Sequence, residues 1–256
     1  MYLLIDIGNS NVVLGVYRED DLLHTWRLDA DRERTGDEYL SSVRELLERD
    51  AINPFLLMGA VISSVVPNLT PAFMHVARQL TGRTCHLVDR YSFSELKIGT
   101  EFPDEIGTDR LANALAGHIL YRAPLIVVDF GTATNFDVVS AEGEFLGGLI
   151  LPGLRLSLDA LVERADKLPK IELERPDRVI GKNTVKSMQS GILFGYAGMV
   201  DSLIWRIEEE LGHSAKVIGT GGLAETLRTA SKRMETVIGD LTLRGLHYIS
   251  QDVGKT

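Results

Sequence analysis

The apolar positions at the start of the chain form a short continuous run, Tyr2-Leu3-Leu4-Ile5, which predicts a buried strand. The run breaks at Asp6-Ile7-Gly8-Asn9-Ser10-Asn11 and resumes as Val12-Val13-Leu14-Gly15-Val16-Tyr17. Two apolar runs joined by a turn of Gly, Asn and Ser predict a β-hairpin, and Leu22 to Leu28 adds a third strand. Beyond it, Thr35 and Glu38 have the spacing of a capping box. Tyr39, Leu40, Val43, Leu46 and Leu47 then recur at helical spacing, so residues 37–49 are expected to form an amphipathic helix. Gly59 to Val66 reads as a buried strand, Asn68 to Leu80 as a helix and Thr84 to Val88 as a short strand. An irregular stretch from Tyr91 to Ile106 leads into Gly107-Thr108-Asp109-Arg110 and a helix that Pro124 stops.

The opening pattern then returns. Leu125 to Val139 repeats strand, aspartate, apolar residue, glycine, polar turn and strand, matching Asp6 to Asp129, Gly8 to Gly131 and Asn11 to Thr134. Glu144 to Ile150 supplies a third strand again, so a whole meander is duplicated. A helix begins at Leu154, a polar excursion covers Asp166 to Ile180, and a long helix covers Thr184 to Leu211. Gly191, Gly195 and Gly198 share one face of that helix, which leaves two readings open: tight packing within the domain or a dimer interface. Lys216 to Ile218 is a strand ending in Gly219-Thr220-Gly221-Gly222, followed by a helix to about Arg233. A strand near Val237 and a helix from about Leu241 complete the second half. Three antiparallel strands followed by alternating helix and strand are the order of a ribonuclease-H-like domain, so the expected class is α/β, a duplicated actin-like ATPase fold. Its two domains, 1–115 and 116–256, are expected to flank a cleft.

Composition narrows the function. Over 256 residues, 45% hydrophobic and 25% charged content are globular values. A formal net charge of −9 argues against nucleic acid, whose phosphates want a basic face. It does not argue against ATP, which backbone N–H groups and Mg²⁺ can hold. The single cysteine, Cys85, excludes an internal disulfide and reads as a small buried hydrophobe. No apolar run approaches the roughly 18 residues of a membrane span, and Met1 to Ile5 is too short for a secretion signal. A soluble cytoplasmic protein is expected.

A carboxylate at a strand end, followed by a turn of free N–H groups, can hold a phosphate and its metal. Asp6 and Asp129 occupy such positions, so one could serve Mg²⁺ directly or through water and the other a second cation. The alternative is that each merely caps its own turn. Asp109 lies where a loop becomes a helix, and phosphoryl transfer to a hydroxyl needs a carboxylate to accept the proton. Arg110 could grip an anionic acceptor or pair with Asp109 or Glu105. The turn at Gly219 to Gly222 also fits a dinucleotide fingerprint through Gly219, Gly221 and Ala224. Only one strand follows it, however, so a surface lying flat against adenosine fits better. Gly181-Lys182-Asn183 is not a P-loop, because Pro176 and Asn183 stand where Gly and Ser or Thr are required. The six histidines show no ligand spacing.

Together these motifs resemble the type III pantothenate kinase family of the acetate and sugar kinase/Hsp70/actin superfamily. The carrying residues are Asp6 to Asn11, Thr35 to Tyr39, Ser63 to Pro67, Gly107 to Arg110 and Asp129 to Thr134. They continue with Gly147-Gly148, Pro152-Gly153, Gly181 to Thr184, Ser187 to Gly191 and Gly219 to Gly222. The resemblance implies ATP-dependent phosphorylation of pantothenate at its primary hydroxyl, the first step toward coenzyme A. It implies that Asp6, Ile7, Gly8, Asn9, Ser10, Asn11, Val12 and Val13 form the first phosphate segment and that Thr132 contacts the nucleotide. Asp129 would hold a monovalent cation, K⁺ or NH₄⁺, and Asp109 would take the proton. Thr100, Gly107, Thr108, Asp109, Arg110 and Thr184 would line the pantothenate site, and the enzyme would be a homodimer. Two positions depart from the family pattern. Thr100 stands where a Tyr is usual, seven residues before Gly107, with Phe102 as a substitute ring; Ser10 replaces a Thr and keeps its hydroxyl. Thr100 leaves room for a kinase of the same fold with another small hydroxylated acceptor. A nucleotide-binding regulatory protein with little catalysis is the reading from a different class, against which Asp109 argues.

Overall fold

The first apolar runs form the expected meander. In the computed structural model, which describes residues 1–83 and 85–253, β1 (Tyr2–Ile7), β2 (Asn11–Arg18) and β3 (Asp21–Asp29) pair antiparallel in turn. Helix α1 (Gly36–Arg49) starts on the capping box of Thr35 and Glu38. Strand β4 (Ala60–Ser64) lies parallel to β1, and β5 (Cys85–Leu87) lies parallel to β4, with α2 (Thr70–Thr81) between them in sequence. Thr84, expected to open that last strand, lies outside the described residues. The sheet order is β3-β2-β1-β4-β5. Leu3, Ile5, Ile7, Val12, Leu14 and Val16 form one core with Tyr39, Val43 and Leu47 of α1 and Phe73, Val76 and Leu80 of α2. Tyr39 is fully buried, yet its hydroxyl is satisfied: it donates toward the carbonyls of Asp29 and Asp31 and accepts from the Asp31 N–H at 2.8 Å. A two-residue strand, β6 (Lys97–Ile98), and a helix, α3 (Thr108–Tyr121), follow.

The second meander is β7 (Leu125–Phe130), β8 (Ala133–Val139) and β9 (Glu144–Pro152), again antiparallel. Helix α4 (Leu154–Arg164), helix α5 (Thr184–Leu211), strand β10 (Lys216–Thr220), helix α6 (Ala224–Arg228) and strand β11 (Thr236–Val237) complete it. Strands β10 and β11 are parallel additions beside β7, so the order β9-β8-β7-β10-β11 reproduces that of the first sheet.

The duplication is closer than the sequence pattern suggests, and it is offset. In the first hairpin Ile7 pairs with Val12; in the second Phe130 pairs with Thr134, so the second turn is one residue shorter. The hydrogen bond closing each turn runs from Gly8 N–H to the Asn11 carbonyl and from Gly131 N–H to the Ala133 carbonyl, both at 3.0 Å. The structural equivalent of Asn11 is therefore Ala133, and Thr134 corresponds to Val12, which corrects the expected match of Asn11 to Thr134. With that offset, the ladder slip between Val16 and Tyr17 falls on the slip between Val138 and Val139.

Two further expectations are corrected. The helix after Gly222 ends at Arg228, five residues short of Arg233. Asp201 in α5 accepts hydrogen bonds from the backbone N–H groups of Lys232 and Arg233 and from the Ser231 hydroxyl, which turns the chain there instead. The last helix, α7 (Leu241–Val253), does not join the second half. It packs on β1, β4 and β2, and the chain divides into one unit of residues 1–116 with α7 and another of Gly117–Asp240. Small residues permit this: a Cβ on Gly15 would come 2.8 Å from a Leu243 methyl, and one on Gly245 would come 2.1 Å from the Ala112 carbonyl oxygen. The Thr242 hydroxyl donates to the buried Asn113 amide oxygen at 2.8 Å. Helix α5 runs unbroken for 28 residues, capped by Asn183 and ended by Gly212 at φ +74°.

Candidate functional site

In the first unit, Asp6 sits one residue before the end of β1, between Val13 of β2 and Ser63 of β4. Its Oδ1 is buried. Asn9 and Ser10 at the turn tip are exposed, while Ile7 and Val12 are fully buried in the core. Within the expected phosphate segment, those two residues can therefore offer a ligand only their backbone groups. The turn is fixed by three further backbone bonds: Gly8 N–H to Asn11, Ala30 N–H to Ser10 and Val65 N–H to Ile7.

The Gly107-Thr108-Asp109-Arg110 segment starts α3, and Leu111 N–H closes its first turn on the Gly107 carbonyl at 3.2 Å. Ser63, fully buried at the end of β4, hydrogen-bonds Thr108 hydroxyl to hydroxyl at 3.0 Å. The Asp109 carboxylate accepts from the Arg110 N–H at 2.8 Å, which orients it at the helix start. Gly107 makes the space: a Cβ there would lie 2.4 Å from Asp109 Oδ1 and 3.1 Å from a Val65 methyl. Burial pushes the Asp109 pKa above the usual carboxylate range, against the Arg110 N–H and guanidinium, which pull it down. Thr100 is half-buried with its hydroxyl oxygen lacking a hydrogen-bond partner among the described residues, and the Phe102 ring is exposed.

In the second unit, Asp129 lies on β7 between Asn135 of β8 and Thr220 of β10. Two glycines crowd its turn. Gly153, which precedes α4, donates to the Thr132 carbonyl at 3.1 Å, and a Cβ there would come 2.3 Å from that same oxygen. Gly221 has φ +87°, a left-handed conformation that suits glycine; its Cβ would come 2.6 Å from Asp129 Oδ1 and 2.7 Å from the Phe130 carbonyl. Gly219 lies inside β10 against the Met234 sulfur and acts in packing, whereas Gly222 is exposed. Thr134 is fully buried and accepts from the Tyr196 hydroxyl at 2.6 Å, the same hydroxyl lying 2.9 Å from the Pro152 carbonyl. Tyr196 thus ties α5 to the turn, a role that its place in a helical apolar pattern does not signal. Burial pushes its phenol pKa up and keeps it a donor.

Thr184 opens α5 and lines a cavity of about 630 Å³ within the second unit, with Lys182, Asn183, Ser187, Met188 and Ile192 among its walls. The loop before it is tight: a Cβ on Gly181 would come 2.3 Å from the Ser187 backbone nitrogen. Gly191, Gly195 and Gly198 of α5 are exposed, and a Cβ on any of them would meet nothing within 4 Å outside its own helix among the described residues, so packing within the domain is not what they serve. Cys85 is buried, and burial raises its thiol pKa.

Among the described residues no group of three or more His, Cys, Asp or Glu side chains is placed to hold a metal ion. A cation at Asp6 or Asp129 would be completed by water, backbone, amide or substrate oxygens, as Mg²⁺ at phosphates commonly is. No helix among the described residues is long and apolar enough to cross a membrane.

Comparison with known proteins fits this arrangement. Residues 2–206 match the family model described as type III pantothenate kinase. A type III pantothenate kinase of Roseiflexus sp. (strain RS-1) is 45% identical over 249 residues, covering 97% of this chain and 98% of that protein. One of Geobacter sp. (strain M21) is 44% identical over 251 residues, covering 98% and 99%. Among solved structures, a Baf-family protein of Campylobacter jejuni superposes with a TM-score of 0.61 at 19% identity, covering 99% of this chain and 100% of that one. The last likeness speaks for the fold alone. With the family model covering most of the chain and near-full-length relatives of the same description, the chain belongs to the type III pantothenate kinase family.

Proposed function

We propose that the protein transfers the γ-phosphoryl group of ATP to the primary hydroxyl of pantothenate, giving 4'-phosphopantothenate, the first step of coenzyme A biosynthesis. The observation that carries the reading is the Asp109 carboxylate, recessed, oriented by the Arg110 N–H and given room by Gly107. A phosphoryl acceptor must lose its proton as the new O–P bond forms and the bond to the β,γ-bridging oxygen breaks. A carboxylate whose pKa burial has raised is a stronger base for that proton than an exposed one. The turn Asp6 to Val13 is read as the first phosphate segment, with Thr132 and the backbone at Gly221 and Gly222 on the nucleotide. Gly107, Thr108, Arg110 and Thr184 are read as pantothenate contacts. Asp6 would hold Mg²⁺, directly or through water, where the ion's charge offsets that of the phosphates. Asp129 would hold K⁺ or NH₄⁺.

The remaining assignments belong to the same proposal. The open glycine face of α5 supports a homodimer, because glycine backbone lets a second helix approach closely. The net charge of −9 supports small-molecule substrates over nucleic acid, and we place the enzyme in the cytoplasm. Thr100, with a buried hydroxyl that lacks a partner among the described residues, favours a second reading in which another small hydroxylated acceptor is used. Purified protein with ATP, Mg²⁺ and K⁺ is expected to convert pantothenate to its 4'-phosphate faster than any member of a panel of sugars and pantothenate analogues. Tight ATP binding without turnover of any acceptor would refute the kinase reading.

A further inference from the structure

The two related hairpins differ in what stands across from each aspartate. Asp6 is opposite Val13, whereas Asp129 is opposite Asn135. The two positions are equivalent, because burial alternates identically along Asn11–Tyr17 and Ala133–Val139. Directly opposed residues of an antiparallel pair share a face, with Cβ atoms about 4.5–5.5 Å apart, so the Asn135 amide stands beside the Asp129 carboxylate. Its Oδ1 is buried and has no hydrogen-bond partner among the described residues. Buried polar atoms in native folds are almost always paired, and an exception asks for an occupant such as water or an ion. On another side, Gly221 brings bare backbone up to Asp129 Oδ1 and the Phe130 carbonyl, a space that any Cβ would fill. A carboxylate, an orphaned amide oxygen and a glycine-lined wall fit a cation.

We infer that Asn135 supplies a neutral oxygen ligand to the cation at Asp129, and that its neutrality sets the charge class of that cation. The inference rests on the reading of Asp129 as the monovalent-cation residue. One carboxylate with amide and backbone carbonyl dipoles makes a site of charge −1, and carbonyl oxygens replace the hydration shell of K⁺. A second carboxylate would double the charge and favour a divalent ion, which prefers carboxylate oxygens. The Val13 side chain offers no oxygen, so a cation at Asp6 keeps its waters and phosphate oxygens, as Mg²⁺ does. One side chain, Val or Asn, thus assigns the two repeated turns to different ions.

The test is thermal unfolding of the full chain without nucleotide. KCl is titrated against tetramethylammonium chloride at constant ionic strength, and CaCl₂ in a separate series. A ligand of the folded state raises Tm as its concentration passes Kd. The wild type is expected to gain Tm with K⁺, Asn135→Leu to need at least tenfold more K⁺ for the same rise, and Asn135→Asp to respond to Ca²⁺ instead. If Asp129→Asn abolishes the K⁺ response while Asn135→Leu keeps the wild-type midpoint, the Asn135 inference fails alone. If the wild type shows no K⁺ response, the Asp129 reading falls with it. An Asn135→Asp protein that still prefers K⁺ and ignores Ca²⁺ refutes the charge-class argument. Should Asn135→Leu not melt cooperatively, Asn135→Ala removes the same oxygen with less intrusion.

Discussion

Replacing Gly107 by alanine separates the position of Asp109 from the stability of the fold. The added Cβ would lie 2.4 Å from Asp109 Oδ1, about 1 Å inside ordinary van der Waals separation, and 3.1 Å from a Val65 methyl. The Val65 contact needs a shift of a few tenths of an ångström. The carboxylate, at the free end of a short side chain, must swing by about 1 Å and give up its bond to the Arg110 N–H. Losing that charged hydrogen bond costs roughly 1.5–3 kcal/mol, offset in part by release of a strained, buried charge. A misplacement of about 1 Å in a catalytic group costs on the order of 100-fold in rate. Gly107→Ala is therefore expected to fold, with Tm lowered by only a few degrees, while kcat for pantothenate falls about 100-fold. ADP release in a coupled assay gives kcat, and circular dichroism gives Tm. Turnover within threefold of the wild type would refute both the proton-acceptor role and the claim that Gly107 positions it.

Asp109→Asn should lower kcat by roughly 10²–10⁴-fold and raise Tm at neutral pH. Because the folded-state pKa is raised, the charged form carries a penalty that is fully present above that pKa and vanishes as pH falls through it toward the ordinary carboxylate value. The Tm advantage of the mutant should therefore shrink on acidification, and an advantage independent of pH would count against the assignment. In the wild type, kcat/KM should fall on the acid side at a pH above that expected for an exposed aspartate. Gly153→Ala forces a Cβ to 2.3 Å from the Thr132 carbonyl oxygen and 2.6 Å from that of Gly131, both backbone atoms that cannot rotate away. It should destabilise by at least about 1–3 kcal/mol, read by urea unfolding. Gly195→Leu, on the open face of α5, should convert a dimer to monomer by light scattering without lowering monomer Tm; an unchanged mass would sink that interface. The Arg49 guanidinium and the Trp26 indole N–H, 2.6 Å away, hold the Asp50 pKa down at about 2. Its stabilising contribution is present above the ordinary carboxylate pKa and lost as pH falls through about 2. Asp50→Asn should thus be less stable than the wild type near neutrality, the two converging below pH ~2 in Trp fluorescence melts.

The repeated strands, the aspartates that end them and the loop at Asp109 were legible because apolar runs and turn residues fix them locally. The one-residue difference between the hairpins was not, since the tips Asn9-Ser10 and Thr132-Ala133 carry no period that sets a register. Thr134 read as a turn residue because its hydroxyl is polar; only Tyr196, 62 positions away, shows that the hydroxyl is a buried lock. The end of α6 depends on Asp201 accepting from residues 30 and more positions later. Leu241, Leu243 and Leu246 announce an amphipathic helix but not the sheet it covers, which Gly15 and Gly245 decide by being small. Asn135 was hidden by alternation, where any polar residue at its position would pass for solvent-facing.

The return of α7 to the first sheet has a consequence for how the protein is made. Gly117–Asp240 is one contiguous stretch and can close its core as soon as the ribosome releases it, whereas the unit begun at Met1 waits for residues 241–253. At about 5–20 residues per second, that delay lasts roughly seven to thirty seconds. Throughout it, one face of β1, β2 and β4 has no covering helix. The unit holding Asp6 and Asp109 is thus the first to be synthesised and the last to be finished, and it is where chaperone dependence should concentrate.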